Sequence, residues 1–276
     1  MIHTLYDRKA MPEMNGQDSH TILSDLPQSV TRSENASLAS SLNAGLTDVA
    51  QSAVVAPEHI IVFSGNMSAE HKDYVTNSLI YSELAATHQA RAIINPLQRR
   101  NAWYEKKTEI MKGLGWAGFS DAIRRHTAIS QKFTMDQVGL EVLQRALAAA
   151  AFPGMTAASL VTLAQGAIEK LRATGESLRL FEREALSHHD GKFNIAVCVE
   201  SSAGDVILIT TNIYFIATQS VTNVLFWEWQ SSEVDVASAG NKLVLNERRF
   251  QKGHEKLAER LDDYLFDNIL NLPIGS

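Results

Sequence analysis

His188, His189 and Asp190 are, by residue type, the group in this chain best suited to hold a metal ion or to act as a general base. Adjacent histidines in a loop between a helix and a strand point apart, and no third ligand lies at metal spacing. The group therefore indicates a solvated polar turn, and we expect no metal and no cofactor. Cys198 is the single cysteine. It excludes an intrachain disulfide, and its alternating apolar surroundings favour a buried, unreactive thiol.

The familiar catalytic motifs are missing from the sequence. It contains no Gly-x-Ser-x-Gly elbow, no phosphate-cradling glycine loop and no His-Glu-x-x-His helix. We therefore assign no catalytic residue, and an enzyme with an unfamiliar site stays open as the less favoured class.

A basic and aromatic segment offers binding chemistry instead. Arg99–Arg100 and Lys106–Lys107 flank Trp103–Tyr104 on a predicted helix, a combination that can contact nucleic acid or anionic lipid. Alternatively, Trp103 packs in the core and the charges solvate the opposite helix face. The net charge of −6 argues against nucleic acid, because phosphate neutralisation needs clustered cations. Residues 91–125 nevertheless hold eight basic and three acidic residues, so a basic face could meet an anionic surface.

A weakly charged hairpin is the feature most suggestive of function. Val142 to Ile168 carry one charge, Arg145, and Phe152-Pro153-Gly154 marks the turn. Each arm of about 15–18 residues spans roughly 22–27 Å, short of the about 30 Å hydrocarbon core. We expect a buried hairpin at rest, which is compatible with insertion once it is released. The candidate membrane or partner contacts are Leu147, Phe152, Met155, Leu160, Leu163, Trp227 and Trp229.

Helix signals dominate the sequence between residues 57 and 187. Ser68 is a predicted N-cap, Asn95–Pro96 breaks the chain between two helices, and Thr134-x-x-Gln137 is a capping-box pattern. Thr156 is predicted to cap the second arm of the hairpin. The preceding residues 1–56 are rich in Ser, Asn, Thr, Asp and Gln, which predicts a mobile polar arm.

After Asp190 the spacing of the apolar residues changes from the helical period to a period of two, with alternation from Phe193 to Val199. Turn signals such as Gly240–Asn241 divide this region into five short strands, one of them Val224–Trp229, and a helix from Arg248 to about Leu270 closes the chain. We predict an α+β fold, with an N-terminal helical region followed by an antiparallel β-sandwich closed by a C-terminal helix. The predicted regions are a polar arm (1–56), a helical region with the hairpin (57–187) and a sandwich with its helix (188–276).

Several short segments carry a resemblance to a known group of proteins. They include Trp103–Tyr104, Gly115–Trp116, Leu140–Leu143, Gln219–Phe226 and Leu245–Glu247, together with the final helix. In these segments the chain resembles a scattered family of bacterial and fungal proteins without an assigned activity. The resemblance covers roughly residues 75–276 and implies a helical region followed by a β-sandwich, with no implied chemistry.

The sequence thus favours a non-enzymatic, toxin-like bacterial effector that binds and perturbs membranes, as pore-forming proteins do, through the helical hairpin. The alternative is a soluble protein-protein interaction or assembly protein in which the hairpin is core or subunit interface. The expected partner is a membrane surface or a protein, a homo-oligomer is compatible with either, and nucleic acid is not expected. Residues 1–18 lack an apolar signal-peptide core, so we expect synthesis as a soluble cytoplasmic chain. Release would then occur by lysis or by secretion independent of a signal peptide.

Overall fold

The computed structural model describes residues 51–56, 58–127, 131–148, 156–174, 190–201, 203–218 and 224–270. Within them the chain is mixed α and β, built around one large sheet. The helices are α1 (Ala69–Ala90), α2 (Pro96–Gly113), α3 (Met135–Ala148), α4 (Ala157–Thr174) and α5 (Glu247–Leu270). The strands are β1 (Gln51–Ala56), β2 (His59–Ser64), β3 (Trp116–Ser120), β4 (Arg124–Arg125), β5 (Lys132–Phe133), β6 (Asp190–Glu200), β7 (Val206–Ala217), β8 (Trp229–Gln230) and β9 (Val234–Leu245).

The large sheet has seven strands in the order β1-β2-β6-β7-β9-β3, and β4 also pairs with β9. β2 and β6 run parallel, whereas the other pairs are antiparallel. β5 and β8 form a separate two-stranded sheet. The sheet therefore combines strands from three parts of the chain: β1 and β2 before α1, β3 and β4 between α2 and α3, and β6, β7 and β9 between α4 and α5.

Helices cover both faces of this sheet, and the alternation along β6 shows how. Phe193 and Ile195 point into a core shared with α3 and α4, whereas Ala196 and Cys198 point into a core shared with α1, α2 and α5. Because both faces are covered, the central strands are buried almost throughout. The predicted period-two pattern from Phe193 to Val199 is thus confirmed.

The helix boundaries follow the local capping signals. The Ser68 side chain accepts a hydrogen bond from the His71 backbone N–H, which confirms the predicted N-cap of α1. Asn95 caps α2 and Pro96 occupies its first turn, where the missing N–H costs nothing. Thr156 Oγ1 accepts from the Ser159 N–H at 3.1 Å, as predicted for the second hairpin arm.

Other sequence expectations were wrong. A single sheet covered by helices replaces the predicted sandwich. Gly240–Asn241 is not a turn but lies within the continuous β9, because β7 pairs with this strand on both sides of the dipeptide. In the described part of the predicted strand Val224–Trp229, only Trp229 is in a strand. The predicted closing helix is confirmed; it packs on α1, and its Phe250, Leu257 and Leu261 are buried in the core that α1 shares with the sheet.

Candidate functional site

The α3–α4 hairpin forms an apolar layer on one sheet face. Leu147 and Leu160 are fully buried, and Leu163 packs against the same core while half-buried. The packing is close, since a Cβ atom added to Gly139 would lie 2.5 Å from Ile195 Cδ1. Only glycine therefore lets α3 approach β6 at this point. The other two candidate contacts of the hairpin, Phe152 and Met155, lie outside the described residues.

A polar contact inside the hairpin joins its two helices. Arg172 near the end of α4 donates to Asp136 at the start of α3, with 2.8 Å between Nη2 and Oδ2. The Asp136 side chain is 6 % exposed, whereas the Arg172 guanidinium is half-exposed. Loss of the ion pair would therefore leave a buried carboxylate without compensation, while water could still solvate the guanidinium. Arg172 also lies 4.5 Å from the Phe226 ring centroid. Because both partners belong to the hairpin, this ion pair would remain intact if the hairpin moved as one unit.

A histidine forms the polar contact between the hairpin and the edge of the sheet. His126, just after β4, lies 3.5 Å from Glu141 and 3.3 Å from Arg145, both on α3. Burial lowers the pKa of His126, while the Glu141 charge opposes this change and the Arg145 charge adds to it. The lowered pKa favours the neutral imidazole, whose Nδ1 can accept from Arg145, and protonation at Nδ1 would remove that acceptor.

A cavity of about 600 Å³ adjoins the same contact, between α3 and strands β3, β4 and β9. On the helix side it is lined by Val142, Arg145 and Ala146, and on the sheet side by residues that include Phe119 and Gly240. Beside this cavity α3 still packs on the sheet, since Leu147 is fully buried and a Cβ atom added to Gly240 would lie 3.0 Å from Ala146 Cβ.

The opposite sheet face holds a buried charged cluster. Lys107 Nζ lies 2.6 Å from Glu83 Oε2 and donates to Asn194 Oδ1 at 3.0 Å. Lys192 Nζ is 3.4 Å from Glu83 Oε1, which also accepts from Trp103 Nε1 at 2.6 Å. Burial alone would raise the pKa of Glu83, but the two lysines hold it well below its ordinary value. The cluster ties α1 and α2 to β6 through charge-assisted hydrogen bonds.

The sequence did not reveal this cluster, although a signal was present. Leu79, Glu83, Ala86 and Ala90 follow one another at helical spacing, and all four are buried. A carboxylate within an apolar helical stripe requires a buried partner, and Lys107 stands at the equivalent place on α2, one turn after Trp103. Periodicity could have identified the two positions, but it could not have paired them.

The four residues predicted to form a basic face do not share one. Trp103 is in the core, as the alternative interpretation of this helix held, and one of the flanking lysines is buried with it. Arg99 is bound to Asp190 at 2.8 Å, Arg100 is half-buried, Lys106 pairs with Glu109 at 3.3 Å, and Lys107 belongs to the charged cluster.

The two tryptophans predicted as contacts differ in exposure. Trp229 is fully buried in the core beneath the hairpin, where its ring lies 6.3 Å from that of Phe215. Trp227 is 41 % exposed. Of the two, only Trp227 can meet a partner without a change in structure.

The residue types that suggested thiol or metal chemistry form no site in the described part of the chain. Cys198 is buried, and burial raises the pKa of its thiol, which leaves it protonated. His188 and His189 lie outside the described residues. Among the described residues, no three His, Cys, Asp or Glu side chains are placed to hold a metal ion.

Comparisons with known proteins give distant similarities. No family model and no curated protein sequence matches the chain. One similar solved structure is a delta-endotoxin, with a TM-score of 0.36 and 13 % identity over 69 % of this chain and 82 % of that one. Another is the Evf virulence factor, with a TM-score of 0.31 and 11 % identity over 74 % of this chain and 77 % of that one.

Proposed function

We propose that this protein is a toxin-like effector that binds membranes and perturbs them by releasing the α3–α4 hairpin from the sheet. The observation that carries the proposal is how the hairpin is attached. Its contacts with the sheet are predominantly apolar, and its ion pair between the buried Asp136 and the half-exposed Arg172 joins the two helices to each other. Lipid can replace apolar contacts, whereas a released hairpin would keep the ion pair.

The outer side of the hairpin is also suited to a membrane interface. From Ala157 to Ile168, helix α4 has no charged residue, and its exposed positions are small or neutral, such as Ala158, Thr162 and Gln165. On release, the buried stripe from Leu160 to Leu171 would be available for lipid. A helix with one apolar face and one neutral polar face can lie in the headgroup region.

Helix length favours an interfacial arrangement over a spanning one. At about 1.5 Å per residue, α3 and α4 are roughly 21 and 27 Å long, below the about 30 Å hydrocarbon thickness. Across the described residues, none of the helices combines the length and apolar character needed to cross a bilayer. The proposed perturbation is therefore a thinning or leak caused by shallow insertion.

A reversible disulfide across the hairpin–sheet contact tests this function. A Cβ atom added to Gly240 would lie 3.0 Å from Ala146 Cβ, so a shift of under about 1 Å gives the roughly 3.8 Å typical of disulfides. We expect the oxidised A146C/G240C variant to fold, to release no dye from liposomes, and to regain activity on reduction. The single variants A146C and G240C are the controls and should leak under both conditions.

Two outcomes would contradict the proposal. One is a wild-type protein that releases no dye at any pH or lipid composition. The other is full leakage by the oxidised double variant after complete disulfide formation has been verified by mass.

An interaction or assembly protein is the second candidate, and exposed aromatic residues favour it. Phe119 is 67 % exposed on β3 and Trp227 is 41 % exposed beside β8. A partner or a second copy could cover them. Wild-type protein that is inert toward liposomes but sediments as an oligomer, and becomes monomeric on Phe119→Ser or Trp227→Ser, would support this function over the first.

A further inference from the structure

The turn between α1 and α2 exposes apolar side chains at the end of a helical pair. Ile94 is 91 % exposed and Leu97 is 47 % exposed, the former being the most exposed large hydrophobic residue in the described part of the chain. Ile94 lies between the last residue of α1, Ala90, and the first of α2, Pro96. We call residues 91–97 the α1–α2 tip.

Specific hydrogen bonds hold this tip in place. The Arg99 guanidinium donates to the carbonyl oxygens of Ile93 at 2.8 Å and Ile94 at 3.1 Å. Its third contact is Asp190 Oδ2 at 2.8 Å, on the first residue of β6. Asp190 is itself buried and accepts a hydrogen bond from Tyr214. The apolar tip is therefore anchored to the sheet through one arginine.

Helix capping fixes the other side of the tip. Asn95 Oδ1 accepts from the backbone N–H groups of Leu97 at 3.0 Å and Gln98 at 3.1 Å. Pro96 adds a fixed φ angle at the start of α2. A surface arranged before binding loses less conformational entropy on association than a flexible loop does.

Along the chain, the charged residues next to the tip are all basic, and the Asp190 carboxylate that meets Arg99 is buried. Arg91 is exposed within it and Arg100 follows it, while residues 84–104 include several basic residues and no acidic one. The chain as a whole carries −6, so this positive region is local. Exposed apolar residues beside arginines match the two parts of an anionic bilayer, its acyl boundary and its headgroups.

We propose that the α1–α2 tip docks the protein onto anionic membranes, with Ile94 and Leu97 entering the acyl boundary and Arg91 and Arg100 contacting headgroups. The inference rests on the proposed function for its choice of a bilayer as partner. It concerns docking alone, on a part of the molecule separate from the α3–α4 hairpin. Docking can thus occur whether or not the hairpin is released.

Vesicle flotation measures docking without requiring leakage. The probes are vesicles of phosphatidylcholine and phosphatidylserine in equal parts, compared with vesicles of phosphatidylcholine alone. We expect the wild type to float with the anionic vesicles only. Ile94→Ser and Leu97→Ser, each measured separately, should reduce the partition coefficient by about tenfold or more for Ile94 and less for Leu97. Arg91→Gln and Arg100→Gln should each reduce it by about fivefold at low salt.

Phe119→Ser is the matched control, because Phe119 is another exposed apolar residue but lies on β3. It should float like the wild type. The variants at Ile94, Leu97, Arg91 and Phe119 should melt at the wild-type temperature because these side chains are exposed, and a melting curve verifies the fold of Arg100→Gln, whose side chain is half-buried. Wild-type flotation by Ile94→Ser and Leu97→Ser would overturn the proposal, as would equal loss in the Phe119 control or no wild-type flotation. If the wild type floats and the tip variants do not, while no protein leaks dye, docking is supported and hairpin release is contradicted.

Discussion

The α3–α4 hairpin and the α1–α2 pair cover opposite faces of one sheet, and different interactions attach them. The hairpin rests on apolar side chains, with a cavity beside Val142, Arg145 and Ala146 and a histidine contact at its edge. The α1–α2 pair also packs on an apolar core, and it is joined to β6 in addition by buried charges, Glu83 with Lys107 and Lys192. Apolar contact is non-directional and can be exchanged for lipid, whereas a buried ion pair has no equivalent partner outside the protein. The proposed release of the hairpin therefore predicts that α3 and α4 separate from the sheet more easily than α1 and α2 do.

Breaking the charged cluster should have the largest effect. Glu83→Ala leaves Lys107 and Lys192 buried without their shared carboxylate, and we expect a loss of about 3–5 kcal/mol in the free energy of unfolding. Lys106→Met, on the same helix as Lys107, removes only a half-exposed pair with Glu109 and should cost at most about 1 kcal/mol. Urea denaturation measures both. Equal costs for the two variants would show that the cluster does not anchor α1 and α2.

The same cluster predicts an acid dependence. The folded pKa of Glu83 is well below its ordinary value of 4.5, so the carboxylate contributes stability above that pH. As the pH falls below about 4.5, the unfolded chain binds the proton first and this stability is lost. The difference in unfolding free energy between wild type and Glu83→Gln should therefore shrink from neutral pH to pH values well below 4.5, as followed by denaturation at a series of pH values.

Truncation inside the hairpin layer should have the next largest effect. Leu147→Ala removes a fully buried side chain and should cost about 2–5 kcal/mol, whereas Leu163→Ala, which is half-buried, should cost clearly less. Hydrogen exchange gives the sharper measurement. Loosening confined to α3 and α4 would support a separable hairpin, and uniform loosening that reaches α1 would indicate that both faces unfold together.

Separating the two helices of the hairpin tests whether it moves as one unit. Arg172→Met leaves the buried Asp136 carboxylate without its cation, and we expect a cost of about 1–3 kcal/mol. The double variant D136N/R172M should recover part of that cost. Dye release that rises in the single variant and returns toward wild type in the double variant would identify the ion pair as the link between the helices.

The edge contact should give the smallest effect, and it depends on pH. His126 has a folded pKa below its ordinary value of 6.5, so the unfolded chain takes up the proton first as the pH falls through about 6.5. Folded stability, and with it hairpin attachment, should decrease over that range by less than about 1 kcal/mol. His126→Gln should remove the decrease, whereas His71→Gln, on α1 near the start of α5, should retain it. A pH profile unchanged by His126→Gln would contradict this role.

Local signals determined the ends and faces of several elements. Three helices begin as the sequence predicts, at Ser68, Asn95–Pro96 and Thr156. The reason is that a capping side chain accepts a hydrogen bond from a backbone N–H no more than three residues away. The alternation from Phe193 to Val199 correctly separates the two faces of β6, because side-chain direction in a strand depends only on position. The sequence also predicted that the hairpin is buried at rest, and its Leu147 and Leu160 are fully buried.

Only the tertiary structure decided how these elements combine. Pairing with β7 keeps β9 extended through Gly240–Asn241 and overrides the turn signal, and the parallel pairing of β2 with β6 joins strands more than a hundred residues apart. Glu83, Lys107 and Lys192 likewise meet because helices and strand pack together, and no local pattern encodes which buried charge meets which. Caps and alternation are set by neighbours along the chain. Sheet order, buried ion pairs and the exposure of Ile94 are set by neighbours in space, which the chain acquires only on folding.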